Sequence, residues 1–128
     1  MPKRRKTLRV RLPRFVSGRI GWRRLVHTAC LVARRNGHIR YGEREKVELT
    51  VRLYLPARKL RFVDLDNRLK HVMDALQGKL AGEGKKVSRR KRIIPNDCQV
   101  FRVVIEKRLQ PRKRTSSGGL LVVRPLGK

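Results

Sequence analysis

Val47-Glu48-Leu49-Thr50-Val51-Arg52-Leu53-Tyr54-Leu55-Pro56 alternates apolar with polar residues until proline stops it. A period of two belongs to a strand with one face in a core, and proline closes it by removing a backbone donor. This is the clearest strand in the chain, and it is expected at the centre of a sheet.

Downstream, the spacing of Leu69, Val72, Met73, Leu76 and Leu80 predicts a helix over roughly 67 to 80. Phe101, Val103 and Ile105 begin a further strand, and the turn-rich segment from Thr115 to Gly119 leads to a short last one at Leu120 to Val123. Upstream, Leu8, Val10 and Leu12 alternate with Arg9 and Arg11 until Pro13. Ser17 is placed to cap a helix whose apolar face reads Trp22, Leu25, Val26, Ala29 and Ala33, with Gly37 to end it. The order β-α-β-α-β-β predicts an α+β fold (mixed α/β), a small mixed sheet packed by two helices. A single domain over 1–128 is expected, with a basic arm at 1–6 and a basic, glycine-flanked mobile loop at 79–95.

Lys plus Arg number 36 against nine Asp plus Glu, a formal charge of +27. Such a charge gains free energy by neutralising phosphates and releasing their counterions, so the expected partner is a nucleic acid. No run of about 18 apolar residues is present to span a bilayer, and no signal-peptide pattern appears, so no membrane partner and an intracellular location are expected. The apolar fraction of 39% is enough for one small core, which a dimer interface would enlarge. Cys30 and Cys98 have no metal or redox spacing and are expected as two small buried hydrophobes. Gly84-Lys85 invites a phosphate-loop reading, but the glycine spacing is wrong and Lys86 stands where a Ser or Thr is needed.

The four aspartates, Asp64, Asp66, Asp74 and Asp97, all fall in one stretch. A purely electrostatic binder gains nothing from carboxylates beside its phosphate channel unless a cation bridges them. In extended geometry Asp64 and Asp66 lie on the same side of the chain, roughly 6 to 7 Å apart at Cα. Sheet pairing is expected to return Asp97 to the same edge. Two or three carboxylates plus a substrate phosphate suit magnesium. Asp66 also reads as a helix cap. Lys70, four residues after Asp66, is placed to neutralise a scissile phosphate, or else to form a surface ion pair worth about 0.3 to 0.5 kcal/mol.

Lys59, Arg61 and Arg68 beside the aspartates, with Lys85, Lys86, Arg89 and Arg90 in the basic loop, are the candidate DNA-binding residues. His27, His38 and His71 are not expected to meet the aspartates. Phe15 and Phe62 read as core residues, with stacking on bases the alternative. Two functional classes fit: a metal-dependent nuclease, or a non-catalytic nucleic-acid binder of ribosomal or nucleoid type.

The string Asp64-Leu65-Asp66-Asn67-Arg68-Leu69-Lys70, then Asp74-Ala75-Leu76 and Asp97-Cys98-Gln99-Val100, resembles the signature of the RusA-type Holliday junction resolvases. The resemblance covers roughly residues 47 to 108. It implies a RusA-like fold and a homodimer that cuts four-way DNA junctions by paired, symmetric phosphodiester hydrolysis in recombination and repair. It also implies magnesium as the metal, with manganese as a substitute, no small-molecule cofactor, and a cytoplasmic, nucleoid-associated setting in a bacterium, phage or prophage. Asp64, Asp66 and Asp97 fall on the family's metal-binding carboxylates and Lys70 on its essential lysine; Asn67 and Gln99 match further motif positions. Three features depart from the pattern. Asn96 stands where the family usually has a first acid, the segment before Asp97 is longer and more basic, and Pro13 to Ser17 does not match the family's loop. A RusA-like binder that has lost cleavage is therefore a further alternative.

Overall fold

The computed structural model describes residues 7–15, 19–37, 39–80, 85–111 and 117–126. Its elements are β1 (Leu8–Pro13), α1 (Arg19–Gly37), β2 (Val47–Leu55), α2 (Leu65–Gln77), β3 (Val100–Leu109) and β4 (Ser117–Pro125), with short 3-10 turns at Ala57–Lys59, Arg89–Lys91 and Asp97–Gln99. The four strands form one mixed sheet in the order β1-β4-β2-β3. β4 pairs antiparallel with both β1 and β2, and β2 pairs parallel with β3. The expected α+β architecture and the inner position of β2 are both observed.

The alternation in β2 sends Val47, Leu49, Val51, Leu53 and Leu55 into the core and leaves Glu48, Thr50, Arg52 and Tyr54 partly exposed on the opposite face. Leu8, Val10 and Leu12 of β1 and Leu121 and Val123 of β4 join the same core. α1 contributes Trp22, Val26 and Cys30, one residue per turn at spacings of four, and α2 contributes Val72, Ala75 and Leu76. Leu25, expected on the buried face of α1, is 44% exposed, because the stripe through 22, 26 and 30 leaves position 25 on its flank. Burial of the Cys30 thiol pushes its pKa up to about 12, so it behaves as a small hydrophobe; Cys98, expected to be buried as well, is exposed.

Two strands differ from their expected form. β4 is longer than Leu120 to Val123 because both of its edges are paired. In β3, Val103 and Ile105 pack against the core but Phe101 is 59% exposed. The pairing runs Val47↔Val100 and then Glu48↔Arg102, so Phe101 is the extra residue of a bulge and turns outward under the Lys46 ammonium, 5.0 Å from the ring centre.

α2 starts and stops earlier than its apolar spacing suggests. Gly78 takes the left-handed conformation (φ 79) that ends the helix, which places Leu80 beyond it. Residues 85–95, expected as a mobile loop, are tied to both helices. Ile93 and Ile94 are fully buried, and both their N–H groups donate to the carbonyl of Leu76, at 2.9 and 3.1 Å. Arg34 of α1 donates to the carbonyls of Arg90 and Arg92, each at 2.6 Å, and His27 Nε2 bonds the Lys91 carbonyl at 2.7 Å. Those side chains satisfy backbone carbonyls that no strand partner reaches. The basic arm 1–6, Ser17 and His38 lie outside the described residues.

Candidate active site

The link from β2 to α2 passes through the 3-10 turn at Ala57–Lys59, and Lys107 of β3 steadies its end by donating to the Val63 carbonyl at 3.1 Å. Asp64 follows at the N-cap of α2. Its Oδ1 accepts the N–H of Asp66 at 2.9 Å, so Asp64 and not Asp66 caps the helix. Asp66 thereby falls in the first helical turn, and Lys70 comes one turn later on the same face.

Asp97 arrives from the other side, at the start of the 3-10 turn that leads into β3. Asn96 caps that turn, with its side-chain oxygen accepting the Cys98 N–H at 3.0 Å and its own N–H donating to Gln99 Oε1 at 3.0 Å. The buried Gln99 amide then donates to the carbonyls of Gly42 and Glu45, at 2.8 and 2.9 Å. Gln99 is thus a tie between the loop before β2 and the start of β3, and it fixes where Asp97 emerges.

These elements bring Asp66, Lys70 and Asp97 together around one surface hollow of about 450 Å³, with Leu69, Met73, Asp74 and Lys79. Asp64 does not join them. It lines a neighbouring hollow of about 640 Å³ with Asn67, Lys59, Phe62, His71 and Arg68. The expected trio of carboxylates therefore divides into two and one, with one oxygen of Asp64 engaged in the cap. Among the described residues, no three His, Cys, Asp or Glu side chains gather into a ready metal cage.

Asp74 and Lys79 are additions to the site. Asp74 bonds Arg23 of α1 at 3.1 Å, and both side chains are largely buried. Ala75 and Leu76, the rest of that triplet, are core residues. Asp66 and Asp97 differ: among the described residues neither carboxylate has an ion pair or a side-chain hydrogen bond.

The basic candidates scatter. Lys59 is exposed and lines the Asp64 hollow, Arg61 is exposed, and Lys85 is exposed in the 85–95 segment. Arg68, expected on DNA, lies over the Phe15 ring at 3.1 Å and near Trp22 at 5.8 Å; burial lowers its pKa. Arg89 pairs with Glu43 beside Lys86, and Arg90 lines a separate cationic hollow. Phe62 is 83% exposed, against the core position expected of it. His27 is buried away from the aspartates, as expected, but His71, also buried, lines the Asp64 hollow, against the expectation that it would not meet them. The sequence carries a cue for the Asp74 pairing only in hindsight, since Arg23 lies about fifty positions away. No helix among the described residues is long and apolar enough to cross a membrane. No family model matches the chain, and no curated protein matches it.

Proposed function

We propose that the chain is a magnesium-dependent endonuclease of branched DNA, of the RusA type, acting as a homodimer on four-way junctions. The observation that carries this reading is the pair of carboxylates, Asp66 and Asp97, which have no partner among the described residues and face one hollow with Lys70 in a chain of charge +27. With so many cations available, two acids left without one are explained by a cation supplied from outside.

Magnesium keeps several waters and takes one or two carboxylates plus substrate phosphates, so Asp66 and Asp97 form a fitting donor set. Bound there, the ion would supply a water of lowered pKa and polarise the phosphate. Asp64 acts through position, since its cap fixes the first turn that presents Asp66. Lys70 contributes a positive charge toward the extra negative charge that develops on the phosphoryl oxygens during attack. Asn96 is compatible with this reading, because its work in the fold is capping, and asparagine caps as well as aspartate does. A two-fold dimer would present two such hollows to the two symmetric strands of a junction.

The test is incubation of the protein with a labelled four-way junction and with a linear duplex of equal length, with and without magnesium. Paired nicks in the junction alone, and only with the metal, are expected. Tight binding without nicks in magnesium or manganese would overturn the reading in favour of a non-catalytic binder.

A further inference from the structure

A third hollow, of about 680 Å³, opens where the C-terminal turn of α1 meets residues 88–91. Arg34, Arg35, Arg40, Arg90 and Lys91 line it over Leu31 and Ile39, and no carboxylate among the described residues does. We propose that this hollow binds the phosphate backbone of DNA at a distance from the cleavage site. The proposal deepens the reading above and rests on its DNA-binding part, not on cleavage.

Three observations carry it. First, Arg34 is a strut and not a free cation. Its guanidinium holds the carbonyls of Arg90 and Arg92 and so fixes the cationic 89–92 turn against a cationic helix end. Holding like charges together is unfavourable without an anion between them. The negative end of the α1 dipole offsets only part of that repulsion, and only within the last turn. Second, among the described residues Arg35, Arg40, Arg90 and Lys91 have no ion-pair partner, whereas Arg52, Arg102, Arg108 and Arg124 on the sheet's open face are interleaved with Glu48 and Glu106. Third, the basic lining runs on along the chain toward the carboxylates. Arg89 and Arg92, on either side of Arg90 and Lys91, line the next concavity with Lys86 and Arg44, beside Glu43. Asn96 and Cys98 line that same concavity and flank Asp97. Basic residues of the 85–92 segment thus line two concavities, the second of which reaches the chain neighbours of Asp97.

The experiment measures the affinity of the full chain for a four-way DNA junction between 50 and 200 mM salt. It compares Arg35→Ala/Arg40→Ala with Arg9→Ala/Arg11→Ala, which removes the same charge from the open sheet face. Each lost phosphate contact flattens the log–log salt slope by about 0.9. The hollow pair is therefore expected to flatten it by nearly two, and the sheet pair by less than half of one. Arg90→Gln/Lys91→Gln serves as the second hollow pair if the first lowers the melting temperature. Equal flattening by both hollow and sheet pairs would overturn the proposal, as would an unchanged slope in the hollow pairs or a loss seen only with an RNA junction of the same sequence. Failure of the unaltered protein to bind DNA would sink the functional reading itself, and this inference with it.

Discussion

Acids on the open face of the sheet and acids in the α2 hollow are treated in opposite ways by the same +27 chain. On the sheet, Glu48 lies between Arg102 and Arg124, at 3.8 and 3.1 Å, and Glu106 between Arg52 and Arg108, at 2.8 and 3.1 Å. Arginine neighbours hold the Glu106 carboxyl below its ordinary range, the Arg52 hydrogen bond first. Asp74 is neutralised by Arg23, and Glu43 by Arg89. Asp66 and Asp97 alone among the described acids accept nothing from a neighbour, although Lys70 and Lys79 line the same hollow. In a protein this basic, a carboxylate acquires a partner by default, and the proposed function reads the two that lack one as a place kept for an external cation.

Several substitutions break or sharpen that contrast, and the largest effect belongs to the hollow. Asp66→Asn or Asp97→Asn should cut magnesium-dependent cleavage more than about a hundredfold, since a lost metal ligand costs several kcal/mol in the transition state. Junction affinity should hold or rise, because a negative charge has been removed, and stability should change by less than about 0.5 kcal/mol. Asp74→Asn, only eight residues along the same helix, should do the reverse to the fold. It strands the Arg23 charge in a largely buried place and should lower stability by about 3 kcal/mol in a denaturant titration.

A smaller effect follows from His27. Burial lowers its pKa below the ordinary 6.5, while the bond to the Lys91 carbonyl partly opposes the shift. A depressed folded pKa means that the unfolded chain takes up the proton first as pH falls. The stabilisation is therefore complete above about 6.5 and is lost progressively below it. Thermal melting followed from pH 7.5 to 5.5 should show a falling midpoint, and His27→Gln should flatten the fall. The smallest effect is expected of Glu48→Gln: less than about 1 kcal/mol, as for partly exposed ion pairs, with cleavage unchanged.

How much of this was legible in the sequence follows from the range of each interaction. The alternation in β2 and β1 and the apolar spacing of α2 are local, and the observed strands and helix carry those residues, Leu80 excepted, into or against the core. The grouping of Asp66 with Lys70 is also local, being one turn of one helix. Asp97 was reachable because a strand starting near it returns to β2. What periodicity could not supply were partners far apart in the chain: Arg34 with Arg90 and Arg92, His27 with Lys91, and Arg23 with Asp74. These contacts turn an expected mobile loop into an anchored one and Asp74 into a structural acid. Phe101 shows the limit within a strand, where a single bulge reverses the face that alternation predicts. Asp64 shows it at a helix end, where a two-residue shift in the cap, from Asp66 to Asp64, separates it from the carboxylates it was expected to join.

The central claim is that Asp66 and Asp97 are held for a divalent cation while the sheet acids are not. Titration of the isotope-labelled protein with trace manganese, followed by paramagnetic broadening of amide resonances, tests it most directly. Broadening should be strongest at residues 66–70 and 97–99, weaker around Glu48 and weaker still around Glu106, and disappear in Asp66→Asn. Broadening that is uniform, or strongest on the open face of the sheet, would contradict the account.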